Sequence, residues 1–370
     1  MKITIERAAL LKSLGHVQSV VERRNTIPIL SNVKLSAQDG KLNLNATDMD
    51  LDIVAGVEAD VISAGATTAP AHTLFEFVKR LPDGAQVEIE ASDGNLALRS
   101  GRANGSLACL PTEDFPVMTS GDPTHGFSVP VGDLRALLDH TRFAISTEET
   151  RYYLNGIYLH AAERDGTAVL RAVATDGHRL ALSEVPLPDG AVGMPGIIVP
   201  RKTVSELRKL IEESAGDIRV DLSEAKIRFS FDDAVMTSKL IDGTFPDYQR
   251  VIPEGNDKKL ETDCGAFIKA VELVSSITSE KSRAIKLGIE GSSMTLSATS
   301  TEQGSATYDL EVDYSGDGLE IGFNARYLLD IAQQIESGKL RFTLADSASP
   351  TIIQDLDDPA ALYVLMPMRV

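Results

Sequence analysis

Three times along this chain, apolar residues recur at helical spacing in closely similar surroundings. Leu74, Phe77 and Leu81, then Val204, Leu207 and Ile211, then Leu328, Ile331 and Ile335 each define one face of a helix. A short extended run leads into every copy. Pro70 and Pro200 stand just before the first two helices, where a fixed φ is tolerated, and Asn324 stands there in the third as a side-chain cap. Each helix is followed by alternation of period two: Val87 and Ile89; Ile218, Val220 and Leu222; Leu340, Phe342 and Leu344. The copies lie 130 and 124 residues apart, the size of a domain rather than of a solenoid repeat.

Each third also opens alike. Ile3, Leu10 and Leu14 align with Phe127, Leu134 and Leu138, and with Leu260, Phe267 and Val271: a strand residue, then two helix residues four apart. Turn-forming stretches near 122–126 and 253–257 separate the thirds. Asp39-Gly, Asp93-Gly and Asp165-Gly punctuate alternating segments and predict tight hairpins. The pattern predicts an α+β chain of three tandem domains, 1–125, 126–252 and 253–370, each with two helices and antiparallel sheet.

Charge changes this picture. The 370 residues carry a formal net charge of −18, with 43 % hydrophobic and 24 % charged residues. The six expected helical segments (7–24, 72–80, 132–142, 201–213, 264–283, 324–336) nevertheless hold 16 basic and 11 acidic residues, leaving 20 basic and 43 acidic ones elsewhere. Basic helices on an acidic body admit two readings, scatter or a surface for a polyanion.

Two lone cysteines, Cys109 and Cys264, suit a reducing cytosol, and the N-terminus lacks the apolar core of an export signal. No phosphate-binding glycine loop, metal-ligand spacing among the six histidines, or nucleophile elbow is present. Neither a cofactor nor a metal is expected.

Four polar clusters stand out. Arg23-Arg24-Asn25, placed at the end of the first helix, either complements its dipole or reaches phosphate. Arg151-Tyr152-Tyr153 pairs two rings beside a guanidinium, either as buried structure or as a nucleic-acid contact. Thr175-Asp176-Gly177-His178-Arg179-Leu180 reads as a turn, a binding surface or, through His178 and Asp176, a catalytic pair without an evident nucleophile. Thr244-Phe245-Pro246-Asp247-Tyr248 and Asp114-Phe115-Pro116 read as linkers held extended by proline. At the end, Tyr363–Leu365 fits a docked strand, while Met366-Pro367-Met368 suits an adaptable apolar surface.

Together, RYYLNG at 151–156, TDGHRLA at 175–181, SKLIDGTFPDY at 238–248 and YVLMPMR at 363–369 resemble the bacterial sliding clamp family, the beta subunit of DNA polymerase III, in order and spacing over the full length. The resemblance implies three clamp domains per chain, and two chains closing head-to-tail into a six-domain ring with helices lining the hole. It implies a cytoplasmic, non-catalytic processivity factor that encircles duplex DNA. Such a factor tethers polymerases and other replication and repair proteins by short peptides, and an ATP-driven loader opens it. The implied peptide pocket falls on Leu154, Thr175, Gly177, His178, Arg179, Leu180, Pro246, Arg250, Val251, Val364, Met366, Pro367, Met368 and Arg369. The implied DNA contacts are Arg24, Tyr152 and Tyr153, and the implied ring interface includes Leu107 and Ile277. Two departures follow from the same resemblance. Gly105 occupies a loop position where relatives often carry an aromatic residue, and Glu148 and Glu149 introduce negative charge where relatives contact DNA.

Overall fold

The computed structural model describes residues 1–119, 121–278 and 283–369, and the chain divides into two compact units. Among the described residues there are six α-helices: α1 (Arg7–Gln18), α2 (Ala71–Lys79), α3 (Val131–Arg142), α4 (Arg201–Leu210), α5 (Cys264–Ser275) and α6 (Ala325–Ala332). No described helix is long and apolar enough to cross a membrane.

The first unit comprises Met1–Leu134, Pro188–Ala191 and Lys202–Leu240. Its eight-stranded antiparallel sheet runs, in spatial order, His125–Pro130, Asp217–Leu222, Lys226–Phe231, Ala234–Lys239, Leu51–Glu58, Lys41–Thr47, Asn32–Gln38 and Gly65–Pro70. The seam between the two sets of four sets Thr237 opposite Asp52 and Met236 opposite Ile53. A five-stranded sheet (Asp60–Ser63, Lys2–Glu6, Gln86–Ser92, Asn95–Ser100, Ala103–Ala108) completes this unit.

The second unit comprises Arg135–Leu187, Val192–Arg201 and Ile241–Val370. Its nine-stranded sheet orders Ile197–Pro200, Gly156–Arg164, Thr167–Thr175, Arg179–Pro186, Ala361–Leu365, Thr351–Asp355, Lys339–Leu344, Lys258–Asp263 and Asp313–Ser315. A four-stranded sheet (Gly304–Glu311, Ser293–Ser300, Ala284–Glu290, Leu319–Asn324) packs with α5. The middle third of the sequence thus lends four strands to each unit's larger sheet. A sheet continued across a domain junction buries backbone donors that an edge strand would expose.

The repeated columns are core except at Phe77 and Ile335, which are half-buried. Leu74, Val204, Leu207, Ile211, Leu328 and Ile331 are all buried, as are Ile3, Leu10, Leu14, Phe127, Leu260, Phe267 and Val271. Asn324 caps α6 by accepting the Arg326 N–H at 2.9 Å. The three Asp-Gly pairs adopt positive φ at both residues, the type I′ geometry that matches strand twist.

Two expectations need correction. Helix α1 ends at Gln18, so Arg23 and Arg24 lie beyond it; the Val20 and Val21 amides bond three residues back, tightening the chain out of the helix. Gly105 lies in the strand Ala103–Ala108 rather than a loop, and a Cβ there would come within 2.9 Å of the Phe77 ring. Of the expected helix 264–283, residues 279–282 lie outside the described part. The six observed helices hold 11 basic and 6 acidic residues, with the excess confined to α1 and α4.

Candidate peptide-binding and DNA-contact sites

In the second unit, the hairpin between Thr167–Thr175 and Arg179–Pro186 is built by its own polar side chains. Thr175 Oγ1 donates to the Arg179 carbonyl at 2.7 Å and accepts the Gly177 N–H at 3.1 Å. Asp176 Oδ1 accepts the N–H groups of His178 and Arg179 at 2.9 and 3.1 Å. Gly177 has φ of +89° and sits against Arg151, whose Nη1 would lie 2.7 Å from an added Cβ. A side chain there would be strained and would displace that guanidinium.

Arg179 is the buried keystone of the turn. Its guanidinium donates to Asp176 Oδ2 at 3.0 Å, Asp330 Oδ2 at 2.6 Å and the Phe143 carbonyl at 2.7 Å. It also lies between the Tyr327 and Phe143 rings, 4.4 and 5.1 Å from their centroids. Buried with every one of its three nitrogens engaged, this guanidinium fixes the turn onto α6. His178, by contrast, is exposed, and its ring stacks on Tyr327 at 6.3 Å.

The chain end joins this turn. Met366 N–H donates to the His178 carbonyl at 2.9 Å, and Met368 N–H to the Gly322 carbonyl at 2.8 Å. Met366 and Arg369 are exposed, while Pro367 and Met368 are half-buried. A cleft of about 930 Å³ flanks Pro367, Met368 and Arg369 on the side of Lys286, Glu320 and Gly322.

Below lies an apolar cluster of Leu154, Val173, Leu180, Leu182, Ile198, Phe245, Tyr248 and Val364. Leu154, Leu180 and Val364 are thus buried in this cluster, and of the expected pocket residues Pro246, Val251 and Met366 supply exposed apolar surface. Pro246 leads into the short 3₁₀ turn Tyr248–Val251, and the stretch read from sequence as a linker also docks Phe245 and Tyr248 in this cluster. Arg250 points outward and pairs with Asp247 at 2.9 Å. Phe115 does pack as a connector, against Ile29 and Leu30, with Lys34 Nζ 5.9 Å from its ring centre.

Tyr327, Phe143 and Asp330 escaped the sequence reading. Nothing in a single sequence places α6 beside a turn about 150 residues earlier. The proposed His178–Asp176 pairing is not formed: the Asp176 carboxylate serves the turn amides and Arg179.

Tyr152 and Tyr153 meet edge to face at 5.8 Å in the irregular turn Glu149–Leu154. Tyr152 is 54 % exposed, whereas Tyr153 packs on the apolar cluster, so only one ring is free to meet a ligand. Glu148 is answered by Arg151 Nε at 3.1 Å, whereas the exposed Glu149 has no ion pair among the described residues. Arg24 is exposed in the first unit, where Lys202 reaches Asp48, Glu22 and the Val20 carbonyl.

Leu107 lies on Ala103–Ala108, which pairs on one side only among the described residues, as does Gly304–Glu311 in the other unit. Ile277 follows α5 and is half-buried. Leu273, 50 % exposed on α5, was missed although it falls off the stripe of Phe267, Ala270, Val271 and Val274. That displacement is a legible sign of an outward apolar residue.

Family models for the DNA polymerase III beta subunit match residues 1–119 (N-terminal domain), 128–247 (central domain) and 249–369 (C-terminal domain). The beta sliding clamp of Caulobacter vibrioides is 54 % identical with full coverage of both chains, and that of Escherichia coli K12 is 38 % identical, also end to end. A crystal structure of the Caulobacter crescentus beta sliding clamp superposes over the whole of both chains with a TM-score of 0.96 and 55 % identity. A sliding clamp from Bartonella birtlesii bound to griselimycin gives 0.97 at 49 %, again over both full lengths. With three clamp-domain matches in tandem and end-to-end relatives, the chain belongs to the family of DNA polymerase III beta subunits, the bacterial sliding clamps.

Proposed function

We infer that this chain is the processivity clamp of a DNA polymerase III: a non-catalytic ring subunit that encircles duplex DNA and tethers polymerases. The full-length family match carries the reading. Two copies of the chain, three clamp domains each with bounds 1–125, 126–252 and 253–370, close the ring head-to-tail. The open edge strand Ala103–Ala108 of one copy meets Gly304–Glu311 of the next, with Leu107, Leu273 and Ile277 in the seam. The Phe77 ring stands over Gly105 there. Backbone pairing between open edges has both the donors and the acceptors it needs.

A net charge of −18 suits a protein that holds DNA by topology. The excess positive charge on α1 and α4, with Arg24 and Tyr152, gives weak phosphate contacts compatible with sliding. Glu149 weakens the contact beside Tyr152, and Glu148 contributes less because Arg151 neutralises it.

Partner proteins dock a short peptide on the depression between His178, Pro246–Val251 and Met366–Arg369. Its floor is Leu154, Leu180 and Val364, and its rigid turn is Thr175–Arg179. An apolar slot with few polar groups fits such a segment, and griselimycin, which the Bartonella clamp binds, is expected to take this slot here. A clamp loader opens the ring using ATP, other replication and repair proteins share the pocket, and the protein works in the cytoplasm at the nucleoid.

The test is retention on nicked circular DNA after loading with a clamp loader and ATP. A ring stays on the circle in high salt and runs off once the circle is linearised. Equal, salt-sensitive retention on both forms would overturn the reading.

A further inference from the structure

The wall of the slot is tied down by side chains. Between Lys239, where a strand ends, and Ile252, backbone bonds hold Leu240 to Ala225, Ile241 to Ile198 and Ile252 to Gln249, and none joins Phe245–Val251 to a strand among the described residues. Two rings do that work. Phe245 stacks on Tyr158 at 4.8 Å and 4°, and Tyr248 sends its hydroxyl into a polar chain on Gly156–Arg164 and Thr167–Thr175.

That chain has one consistent direction. His160 Nδ1 lies 2.9 Å from the Ala161 carbonyl oxygen, which only accepts, so Nδ1 carries the proton. Nε2 of the neutral ring then accepts the Tyr248 O–H at 3.0 Å. The Tyr248 oxygen in turn accepts Arg171 Nη1–H at 2.8 Å, and Arg171 Nε donates to the buried Glu184 at 2.5 Å. Glu184 also meets Arg164 Nη1 at 3.3 Å. The Tyr248 hydroxyl thus donates once, to His160, and accepts once, from Arg171.

We propose that His160, as its neutral Nδ1–H tautomer, is a positioning residue of the peptide pocket: with Arg171 it fixes Tyr248 and so the Pro246–Val251 wall, and protonation releases that wall and weakens peptide binding. A second proton puts an N–H on Nε2. The Tyr248 O–H then loses its acceptor, and two cations, His160 and Arg171, converge on one hydroxyl oxygen. The groups facing His160 are Tyr158, stacked at 4.7 Å, Tyr248, Arg171 and, behind it, Glu184. On the wall itself, Asp247 and Arg250 pair with each other. Burial and then Arg171 hold the imidazole below its ordinary range, against the bond to Ala161 and the charge of Glu184, so the wall is intact at neutral pH.

This inference rests on the pocket reading above, and griselimycin serves as the probe for both. Its affinity is measured by calorimetry between pH 5 and 8 for the wild type, His160→Gln and Tyr248→Phe, with thermal unfolding at each pH to confirm folding. Gln keeps an acceptor toward Tyr248 and cannot take up a proton. Because His178 carries its own imidazole at the pocket, the readout is the difference between wild type and His160→Gln. Wild type is expected to lose about fivefold more affinity on acidification than His160→Gln, the worth of roughly one hydrogen bond. Tyr248→Phe is expected to bind about fivefold more weakly than the wild type at pH 7.5, the loss of the same hydrogen bond. Identical pH profiles for wild type and His160→Gln, or wild-type affinity in Tyr248→Phe, would overturn the positioning role alone. No binding by the wild type at any pH would instead remove the pocket reading.

Discussion

Arg179 and Asp52 are both charged side chains buried in a β-sheet, one in each unit, and the protein treats them in opposite ways. Arg179 is surrounded by two carboxylates, a carbonyl and two aromatic faces. Asp52, in Leu51–Glu58 and 6 % exposed, leaves Oδ2 without a hydrogen-bond partner. Burial pushes its carboxyl up to about 6, and the neighbouring Asn45 offsets this only in part. The contrast teaches where the fold spends its polar satisfaction. The answered charge pins the turn that carries His178, whereas the unanswered one sits at a sheet seam, where its protonation state is a cost to stability.

The sharpest way to break the comparison is to remove the answered charge. Arg179→Ala leaves Asp176 without its cation and Asp330 with only Arg326, 3.9 Å away, and is expected to cost about 3 kcal/mol or more in urea unfolding. A loss under 1 kcal/mol would mean that the network is decorative. The converse change should stabilise. Asp52 binds its proton more tightly folded than unfolded, so its favourable contribution is complete below about pH 4 and disappears as pH rises through 6. Asp52→Asn is therefore expected to gain at most about 3 kcal/mol near pH 8 and nothing near pH 4. A pH-independent gain would show that the carboxylate charge is not the cause.

A third buried ionisable group sharpens the contrast without any charge. Cys264 Sγ donates to the Ala332 carbonyl at 3.2 Å, and burial, with Asp263 and Asp355 nearby, pushes its thiol up to about 11. It stays neutral and needs no counter-ion. At pH 8, iodoacetamide is expected to modify Cys109 in the folded protein and Cys264 only after unfolding, read by peptide mass mapping. Equal labelling of the two thiols in the folded state would refute the assignment.

These three sites also show what a single sequence can carry. Periodicity located the helices and the core columns, because a buried stripe at period 3.6 or 2 is a local signal. The Asp-Gly turns were legible for the same reason: a positive φ selects its residues. Lying off the helical stripe, Leu273 was legible in principle. The Arg179 network was not. Phe143, Tyr327 and Asp330 converge on it from 36 to 151 residues away, and only the sheet order brings them together. The double use of Phe245–Val251 was hidden likewise, since proline and turn formers signal a linker whether or not its rings are docked. What Gly105 lacks, the Phe77 ring of α2 occupies, a substitution across space that no window of sequence contains.

His178 gives the smallest expected effect on stability and the clearest separation of structure from binding. It is the neighbour of Arg179, yet its side chain is exposed and stacks on the Tyr327 ring, while its carbonyl, which accepts the Met366 N–H, survives substitution. His178→Ala is expected to change unfolding free energy by no more than about 0.5 kcal/mol. The same change should weaken griselimycin binding about tenfold or more, as truncation of a ring at a pocket centre does. Urea unfolding and calorimetry on the one variant measure both. If stability falls as far as in Arg179→Ala, the two neighbours are parts of one structural unit. If affinity is untouched, the ligand leans on the methionine tail and the proline wall, and the turn serves only to hold the chain end in place.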